Sequence, residues 1–412
     1  MNLQKLIDRK DEVAEWIIGD ITHICKDFEK RDPGSKGELQ AAEYYAELLK
    51  SYGCEDIRIE PFKENPASFM GWIYIAVALG LVAILEYFFA PVLSIILIAL
   101  ALCIALLQFG IYKKLVDFLF PEKIGHNVSA VYKPTGEVKR RIAFNGHLDA
   151  AWEWPVNYKF GGVGFETHAI LGFGTLFFFL VISILRVVNH GAFGMVPDGS
   201  SLLKIGIWGA VICVPLLISA CFLWNERRIV DGANDNLTGC EMGVALVKEL
   251  SEAGIRLENT EIVVLLTGSE EAGLRGAKAW SEAHAGEWDD VPSFIYSYDT
   301  IHDPKQLMVN YRDLNGTVKA DKDVSDLFLE AANELGIFCK KGWVPPMGGA
   351  TDNAAFTQGG FRSTGITGLN HKLESYYHTR KDSYDNLNLR GIADSYAVTV
   401  KTLELFDEGA KQ

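Results

Sequence analysis

The stretch Arg141–Pro155, RIAFNGHLDAAWEWP, begins as an apolar strand and ends in polar side chains. Side chains alternate between the two faces of a strand, so His147 and Asp149 are predicted to point the same way. An imidazole and a carboxylate at a strand end suit a metal-bound histidine. They equally suit a loop that is merely polar, so other parts of the chain have to decide between the two.

Composition restricts the classes of partner. The chain has 412 residues, room for one large domain or two ordinary ones, and a formal net charge of −14. This acid excess, with no basic stripe to offset it, argues against a nucleic-acid partner. Seven cysteines without CxxC spacing predict free thiols rather than a disulfide framework.

Four long apolar runs interrupt the polar sequence, at residues 71–89, 92–110, 171–188 and 202–224. Each approaches or reaches the roughly 20 residues that cross a bilayer, whereas buried strands are only about 4–8 residues long. The runs predict two transmembrane hairpins, the first turning at Ala90 and Pro91 and the second through residues 189–201. A hydrophobic helical core or lid is the alternative.

The distribution of lysine and arginine predicts the orientation in the membrane. Four crossings place the polar sequence outside the turns on one side, where the flanks carry Lys63, Lys113, Lys114, Lys123, Arg227 and Arg228. The opposite side has only Arg186 and Lys204, close enough to the second turn to snorkel. The bias predicts a multi-pass protein of the cell membrane with its polar domain in the cytoplasm.

Without the hairpins, the remaining sequence predicts a single α/β domain. Strands are expected at 57–62, 127–132, 141–145, 261–266, 293–298 and 306–310, with a turn at residues 134–136 joining the second and third. Helices are expected at 37–52, 240–253 and 323–335. This alternation predicts a mixed, mostly parallel sheet covered by helices. The domain would comprise residues 1–68, 113–169 and 226–412, with the hairpins at 69–112 and 170–225 as insertions.

Polar residues gather at predicted strand ends, where open α/β sheets place their chemistry. The five places are HLD at 147–149, DGANDNLTG at 231–239, TGSEEAG at 267–273, YDT at 298–300 and YYHTRKDS at 376–383. Singly, each is a turn, a helix cap or a surface acid. Together, two histidines and several carboxylates match the ligands that a pair of zinc ions takes. The residues alone therefore leave two interpretations open, a di-metal hydrolase and a set of unrelated polar loops.

The order and spacing of these motifs resemble the co-catalytic di-zinc aminopeptidases. That family includes secreted bacterial leucine aminopeptidases, glutamate carboxypeptidase and glutaminyl cyclase. Its pattern is HxD, a GxNDNxxG-like stretch, an EE pair, a strand-end Asp and a late His, and all five occur here in order. The resemblance extends to residues 31–35, 348–353 and 382–386, and it implies a zinc-peptidase-like fold with four inserted transmembrane helices.

The resemblance implies the metal ligands. His147 and Asp299 would hold one zinc ion, Glu271 and His378 the other, and Asp235 both. Zinc, or another divalent metal in its place, would lower the pKa of the attacking water and polarise the scissile carbonyl.

Further roles are implied for residues beside the ligands. Asp149 would orient His147, Glu270 would be the general base, and Tyr377 matches a tyrosine that some members direct at the oxyanion. The family has Ser-Asp-His where this chain has Thr-Asp-Asn, and this departure leaves the role of Asp352 open.

We therefore expect a membrane-embedded, zinc-dependent metallopeptidase or amidohydrolase that cleaves a small peptide or an amphiphilic aminoacyl substrate. The second hairpin lies between HxD and Asp235, which favours a substrate in contact with membrane lipids, such as an aminoacyl-lipid. The alternative is that the hairpins only tether an ordinary aminopeptidase. A glutaminyl-cyclase-like transferase with one zinc and a metal-free receptor are the other candidate classes. The sequence does not predict the oligomeric state.

Overall fold

The computed structural model describes residues 3–370 and 373–409 and divides into two compact units. One, here called the sheet unit, comprises Met1–Pro66, Glu122–Trp152 and Arg228–Gln412. The other, the helical unit, comprises Ala67–Pro121 and Glu153–Arg227. Each unit is therefore built from separate stretches of the chain.

The strands, in chain order, are β1 Glu55–Glu64, β2 Lys123–Tyr132, β3 Arg140–His147, β4 Trp152–Glu153, β5 Asn225–Ile229, β6 Thr260–Thr267, β7 Ser293–Ile301, β8 Met308–Asn310, β9 Arg312–Asp313, β10 Val318–Lys319, β11 Lys340–Gly342 and β12 Ser363–Gly368. Eight of them form one sheet in the order β1-β2-β6-β3-β7-β12-β8-β11. The central strands β6, β3, β7 and β12 are mutually parallel, and β1 and β2 add antiparallel pairs at one edge. The predicted mixed, mostly parallel sheet is confirmed.

The helices are α1 Gln4–Asp8, α2 Lys10–Asp27, α3 Lys36–Ser51, α4 Ser68–Glu86, α5 Pro91–Ile104, α6 Pro155–His190, α7 Ser201–Ser219, α8 Thr238–Glu252, α9 Arg275–Ala283, α10 Lys322–Glu334, α11 Asp352–Gln358 and α12 Leu389–Asp407. All but α4–α7 belong to the sheet unit. Every residue of β7 is buried, as expected of a parallel strand covered by helices on both faces. Helix α8 packs on both β3 and β7, which places its N-terminus near the ends of these strands.

The turn predicted at residues 134–136 lies between β2 and β3, but the two strands that it connects are not neighbours in the sheet. Strand β6 lies between β2 and β3, pairing antiparallel with β2 and parallel with β3. The connecting residues instead bond to the chain before β6, because the N–H groups of Thr135 and Gly136 donate to the carbonyls of Leu257 and Glu258. A turn-forming stretch between two strands thus does not by itself make them neighbours.

The helical unit contains the four apolar runs as helices. Within the described residues, four helices are long and apolar enough to cross a membrane: Ser68–Glu86, Pro91–Gly110, Pro155–His190 and Ser201–Phe222. Pro91 begins α5, where a missing N–H costs nothing. Helix α4 packs against α5 and α7, and α6 packs against the same two helices. The two hairpins therefore form one four-helix bundle.

Arg186 does not snorkel. It is only 1% exposed, and its guanidinium donates to the carbonyl oxygens of Tyr87 and Gly194. Tyr87 closes α4, and Gly194 lies in the loop between α6 and α7. The arginine thus ties the turn of the first hairpin to the loop of the second, a role that residue spacing along the chain does not reveal.

Candidate metal centre

Three neighbouring parallel strands bring the predicted site residues to one edge of the sheet. His147 ends β3 and lies opposite Thr267, which ends β6. Asp299 lies near the end of β7, opposite Thr367 of β12. The carboxyl ends of parallel strands face the same way, so the loops after β3, β6 and β7 converge there.

Asp235 lies between the two predicted histidine ligands. Its Oδ1 is 3.2 Å from Nε2 of His147, and its Oδ2 is 3.3 Å from Nε2 of His378. Nε2 of His378 is also 3.2 Å from Oε2 of Glu271. Each oxygen of one carboxylate therefore faces a different imidazole, an arrangement suited to a carboxylate shared by two cations.

The chemistry of the donors fits metal ions. Two ligand atoms that each lie about 2.0–2.1 Å from a tetrahedral zinc ion are roughly 3.3 Å apart, close to the spacings observed. His147 Nε2, Asp235 Oδ2 and Glu271 Oε1 are buried and make no hydrogen bond of normal geometry, although an imidazole or a carboxylate lies close to the first two. These three residues offer ligand atoms within 4.8 Å of one another. Buried polar atoms of this kind are ordinarily satisfied, so a cation is the natural complement.

The electrostatics of the cluster are those of buried acids grouped around two imidazoles. Burial, reinforced by the charge of Asp235, raises the pKa of Asp299 to about 8. Burial likewise raises the pKa of Glu270 well above its usual range. The pKa of His378 rises to about 10, since the carboxylates of Glu271 and Asp235 outweigh the opposing effect of burial. A positive charge placed among these carboxylates would lower the pKa of each of them, which suits the cluster to binding a cation.

Asp149 is fully buried and forms hydrogen bonds with the backbone of Glu270 and Glu271. Its Oδ1 and Oδ2 accept the backbone N–H groups of Glu270 and Glu271, at 2.9 and 3.0 Å. Its Oδ1 also lies 3.3 Å from Nδ1 of His147. Strand β3 ends at His147, so Asp149 is positioned by these contacts in the following loop rather than by the strand pleat.

Two side chains that we did not single out as functional from the sequence connect the ligand-bearing loops. Asp382 accepts the N–H groups of Asn234 and Asp235, at 2.8 and 3.1 Å. Asn236 donates to the carbonyl of Tyr298 at 2.7 Å, beside Asp299. Both residues lie within the motifs that carried the resemblance, and that position was the only available signal for their role.

The backbone at the site adopts unusual conformations. Ser269, Thr300 and His378 have positive φ angles of 56°, 53° and 52°. For residues other than glycine, such conformations cost about 1–3 kcal/mol each and persist where surrounding contacts impose them. Each of the three adjoins or is a predicted site residue, so the contacts around the centre determine its geometry.

The remaining predicted residues also lie at this edge. The ring of Tyr377 stacks on that of His378, with centroids 4.1 Å apart and planes 19° apart. Asp352 is buried at the start of α11 and accepts a hydrogen bond from the hydroxyl of Thr267. Burial raises the pKa of Asp352 to about 6, partly offset by the charge of His147.

Comparison with known families identifies much of the sheet unit. Residues 222–403 match the model of peptidase family M28. Over these residues the chain is similar to the M28 peptidases. The match confirms the resemblance and the enzyme class that it implied, a zinc metallopeptidase. The M28 segment contains Asp235, Glu270, Glu271, Asp299 and His378, whereas His147 precedes it.

Solved structures are similar in fold over most of the chain. An aminopeptidase from Aneurinibacillus sp. strain AM-1 has a TM-score of 0.56 at 13% identity, over 95% of this chain and 93% of that one. A zinc aminopeptidase from Bacillus subtilis has a TM-score of 0.55 at 12% identity, over 95% and 94%. A glutaminyl cyclase from Bacteroides thetaiotaomicron has a TM-score of 0.53 at 12% identity, over 95% and 96%. No curated protein matches the chain.

Proposed function

We propose that this protein is a membrane-embedded aminopeptidase-like hydrolase that uses two zinc ions. The observation that carries the proposal is the position of Asp235, whose two oxygens face the Nε2 atoms of His147 and His378. A single cation would need only one of the two oxygens of this carboxylate. If two ions bind, His147 and Asp299 would hold one, Glu271 and His378 would hold the other, and Asp235 would contribute to both.

When bound, the zinc ions would supply Lewis acidity to the scissile carbonyl and to the attacking water. The proton transfers would fall to Glu270, whose Oε2 is 3.9 Å from Nε2 of His147. Glu270 takes a proton from the water while the water oxygen attacks the carbonyl carbon. It then delivers that proton to the amine nitrogen as the C–N bond breaks.

Two neighbours would support Glu270. The Tyr377 hydroxyl would donate to the oxygen that becomes negative when the carbonyl carbon turns tetrahedral. The ring of Tyr377 stacks on that of the candidate ligand His378, which places the residue beside the centre. Asp149 fixes the backbone of Glu270 and Glu271, so that one carboxylate ligates while its neighbour remains free. A metal count per chain of full-length protein, with hydrolysis of amino-acid amides, tests the proposal. Two ions and released amine are expected.

The surface of the helical unit supports insertion in a membrane. Large apolar side chains are exposed on all four helices, for example Val82, Ile96, Val181 and Trp208, which are 47–67% exposed. Helices that are apolar on every face are typical of membrane spans. The lysine and arginine bias of the flanks supports a cytoplasmic sheet unit. Tagging residues 191–200 and the C-terminus for labelling from either side of intact cells tests this orientation.

The connections between the units favour an amphiphilic substrate. The chain leaves the sheet unit after Trp152, three residues beyond Asp149, and returns at Arg228, seven residues before Asp235. The second hairpin is thus connected to the sheet unit within a few residues of the Asp149 and Asp235 loops. Kinetics on one amino-acid amide with and without a long acyl chain separate this idea from a simple tether. Equal kcat/KM for both forms would favour the tether.

A glutaminyl-cyclase-like transferase is the second candidate, and the Bacteroides thetaiotaomicron structure supports it. In that reaction an N-terminal amine attacks its own side-chain amide and ammonia leaves. One ion per chain, with ammonia released from peptides that begin with glutamine, would establish the cyclase. No bound ion would indicate a receptor module.

A further inference from the structure

Arg31 is a buried cation whose hydrogen bonds go to backbone carbonyls. It is 3% exposed. Its Nε donates to the carbonyl of Leu148 at 2.8 Å, and its Nη2 donates to those of Asp231 and Gly232, at 2.9 and 3.1 Å. Its own carbonyl accepts the N–H of Ala150 at 2.9 Å. One residue therefore joins the loop after β3 to the loop before α8.

The two loops joined in this way carry His147 and Asp235. Leu148 directly follows His147, and Gly232 lies three residues before Asp235. The 3.2 Å spacing between these two ligand side chains therefore depends on a fork of N–H groups that spans both loops. A lysine has a single nitrogen and cannot reproduce a planar fork.

The other side of the centre is held independently. Asp382, four residues after His378, accepts the N–H of Asp235 at 3.1 Å. Loss of the Arg31 fork therefore loosens His147 relative to Asp235 and leaves Asp235 attached to the segment that carries His378.

We propose that Arg31 is a positioning residue that selectively sets the affinity of one ion, the one held by His147, Asp235 and Asp299. The inference rests on the proposed two-ion centre. A residue that orients metal ligands typically changes metal affinity by about 10–100-fold when altered, and we expect an effect of this size on one ion only.

The test is a metal titration of full-length protein in detergent, stripped with a chelator and titrated with Co²⁺, with absorption spectra and a metal count as readouts. Wild type is expected to bind two ions. Arg31→Lys and Arg31→Gln are expected to keep one ion at wild-type affinity and to bind the other about 10–100-fold more weakly. The retained ion reports that the variant is folded.

Double variants identify which ion is weakened. In a His147→Ala background, Arg31→Lys is expected to change the remaining affinity little, because both changes act on the same ion. In a His378→Ala background, Arg31→Lys is expected to weaken the ion that remains. Non-additivity in the first pair and additivity in the second are the signs of a shared site.

Arg256 provides a matched control. It donates to the carbonyls of Lys133 and Gly53, both at 2.9 Å, away from the centre. Arg256→Lys is expected to bind both ions as wild type does. The inference is overturned if the Arg31 variants bind both ions at wild-type affinity or weaken both equally. It is also overturned if both variants fail to fold while Arg256→Lys folds. Fewer than two ions in wild type would instead reject the proposed two-ion centre.

Discussion

The backbone N–H of Glu270 donates to Oδ1 of Asp149 at 2.9 Å, so the candidate base is held by an acid from the neighbouring strand end. The adjacent N–H, that of Glu271, is held by the other oxygen of the same carboxylate. The backbone of neither glutamate can move away from Asp149 without breaking a buried, charge-assisted hydrogen bond. Asp149 thereby fixes the backbone of both glutamates, for which we propose different roles, a free carboxylate for Glu270 and a metal ligand for Glu271.

Glu270→Gln is expected to keep its metal and to lose at least about 100-fold in kcat, since an amide cannot take a proton from water. The structural reason is that Glu270 is proposed to touch the water rather than to hold an ion. The measurement is kcat on an amino-acid amide, combined with a metal count per chain.

Glu271→Gln is the matched comparison, because Glu271 lies 3.2 Å from His378 as a candidate ligand. This variant is expected to lose one ion. If Glu270→Gln rather than Glu271→Gln lost metal, the two roles would have to be exchanged. Wild-type turnover in Glu270→Gln would remove the general base from the mechanism.

Asp149→Asn is expected to weaken metal binding about 10–100-fold and to destabilise the fold by about 1–3 kcal/mol. An asparagine has one acceptor oxygen, so one of the two N–H groups that Asp149 holds would face an NH₂ group. Asp313→Asn is the control. Asp313 is equally buried. Its Oδ1 accepts the N–H groups of Leu314 and Thr351, and its Oδ2 accepts the side chains of Thr351 and Asn353, none of which is a candidate metal ligand. A comparable loss of stability without loss of metal is expected there. Equal metal affinities in the two variants would contradict the role of Asp149.

The sequence predicted individual strands and helices best, because these depend on the pattern of apolar residues within one short segment. The strand that ends at His147 and the helix after Ser35 were predicted because alternation and helical period can be read directly. Strand order could not be predicted, since β6 inserts between β2 and β3 through contacts more than 100 residues apart. The roles of Arg31 and Asp382 were missed for the same reason. Both act on backbone groups of distant loops, and no spacing along the chain encodes that.

A buried proton is expected between Glu38 and Glu64, and it should make stability depend on pH. Ser269 Oγ lies 2.8 Å from Oε1 of Glu38 and 2.5 Å from Oε1 of Glu64. A hydroxyl has one hydrogen to donate, so one carboxyl group must carry its own proton. Burial raises the pKa of Glu64 to about 8, although the hydrogen bond from Ser269 lowers it.

The direction of the pH dependence follows from the linkage between proton binding and folding. The folded state keeps the proton of Glu64 at a pH where the unfolded chain, with a pKa of about 4.3, has lost it. The stability contributed by this group is therefore complete below about pH 4.3 and is lost as the pH rises to about 8. Glu64→Gln is permanently neutral. Its stability relative to wild type is expected to grow from pH 5 to pH 8.5, by on the order of 3 kcal/mol.

Thermal unfolding in detergent at the two pH values measures this difference. Glu122→Gln serves as the control, because Glu122 is exposed and pairs with Lys63 at the surface. Its pH dependence is expected to match that of wild type. A Glu64→Gln variant whose advantage is the same at pH 5 and pH 8.5 would show that no proton is held there.

Substitution of two glycines, one at a close helix contact and one in open space, tests the packing of the bundle. A Cβ atom at Gly206 of α7 would lie 2.2 Å from Cε1 of Tyr87, whereas one at Gly174 of α6 meets no atom within 4 Å. Gly206→Ala is expected to cost about 1–3 kcal/mol, since the buried Tyr87 ring must shift. Gly174→Ala is expected to be neutral, or to stabilise by up to about 1 kcal/mol through helix propensity. Thermal unfolding of both variants in the same detergent compares them directly. A Gly206→Ala variant that melts no lower than Gly174→Ala would show that α7 does not pack against the ring of Tyr87.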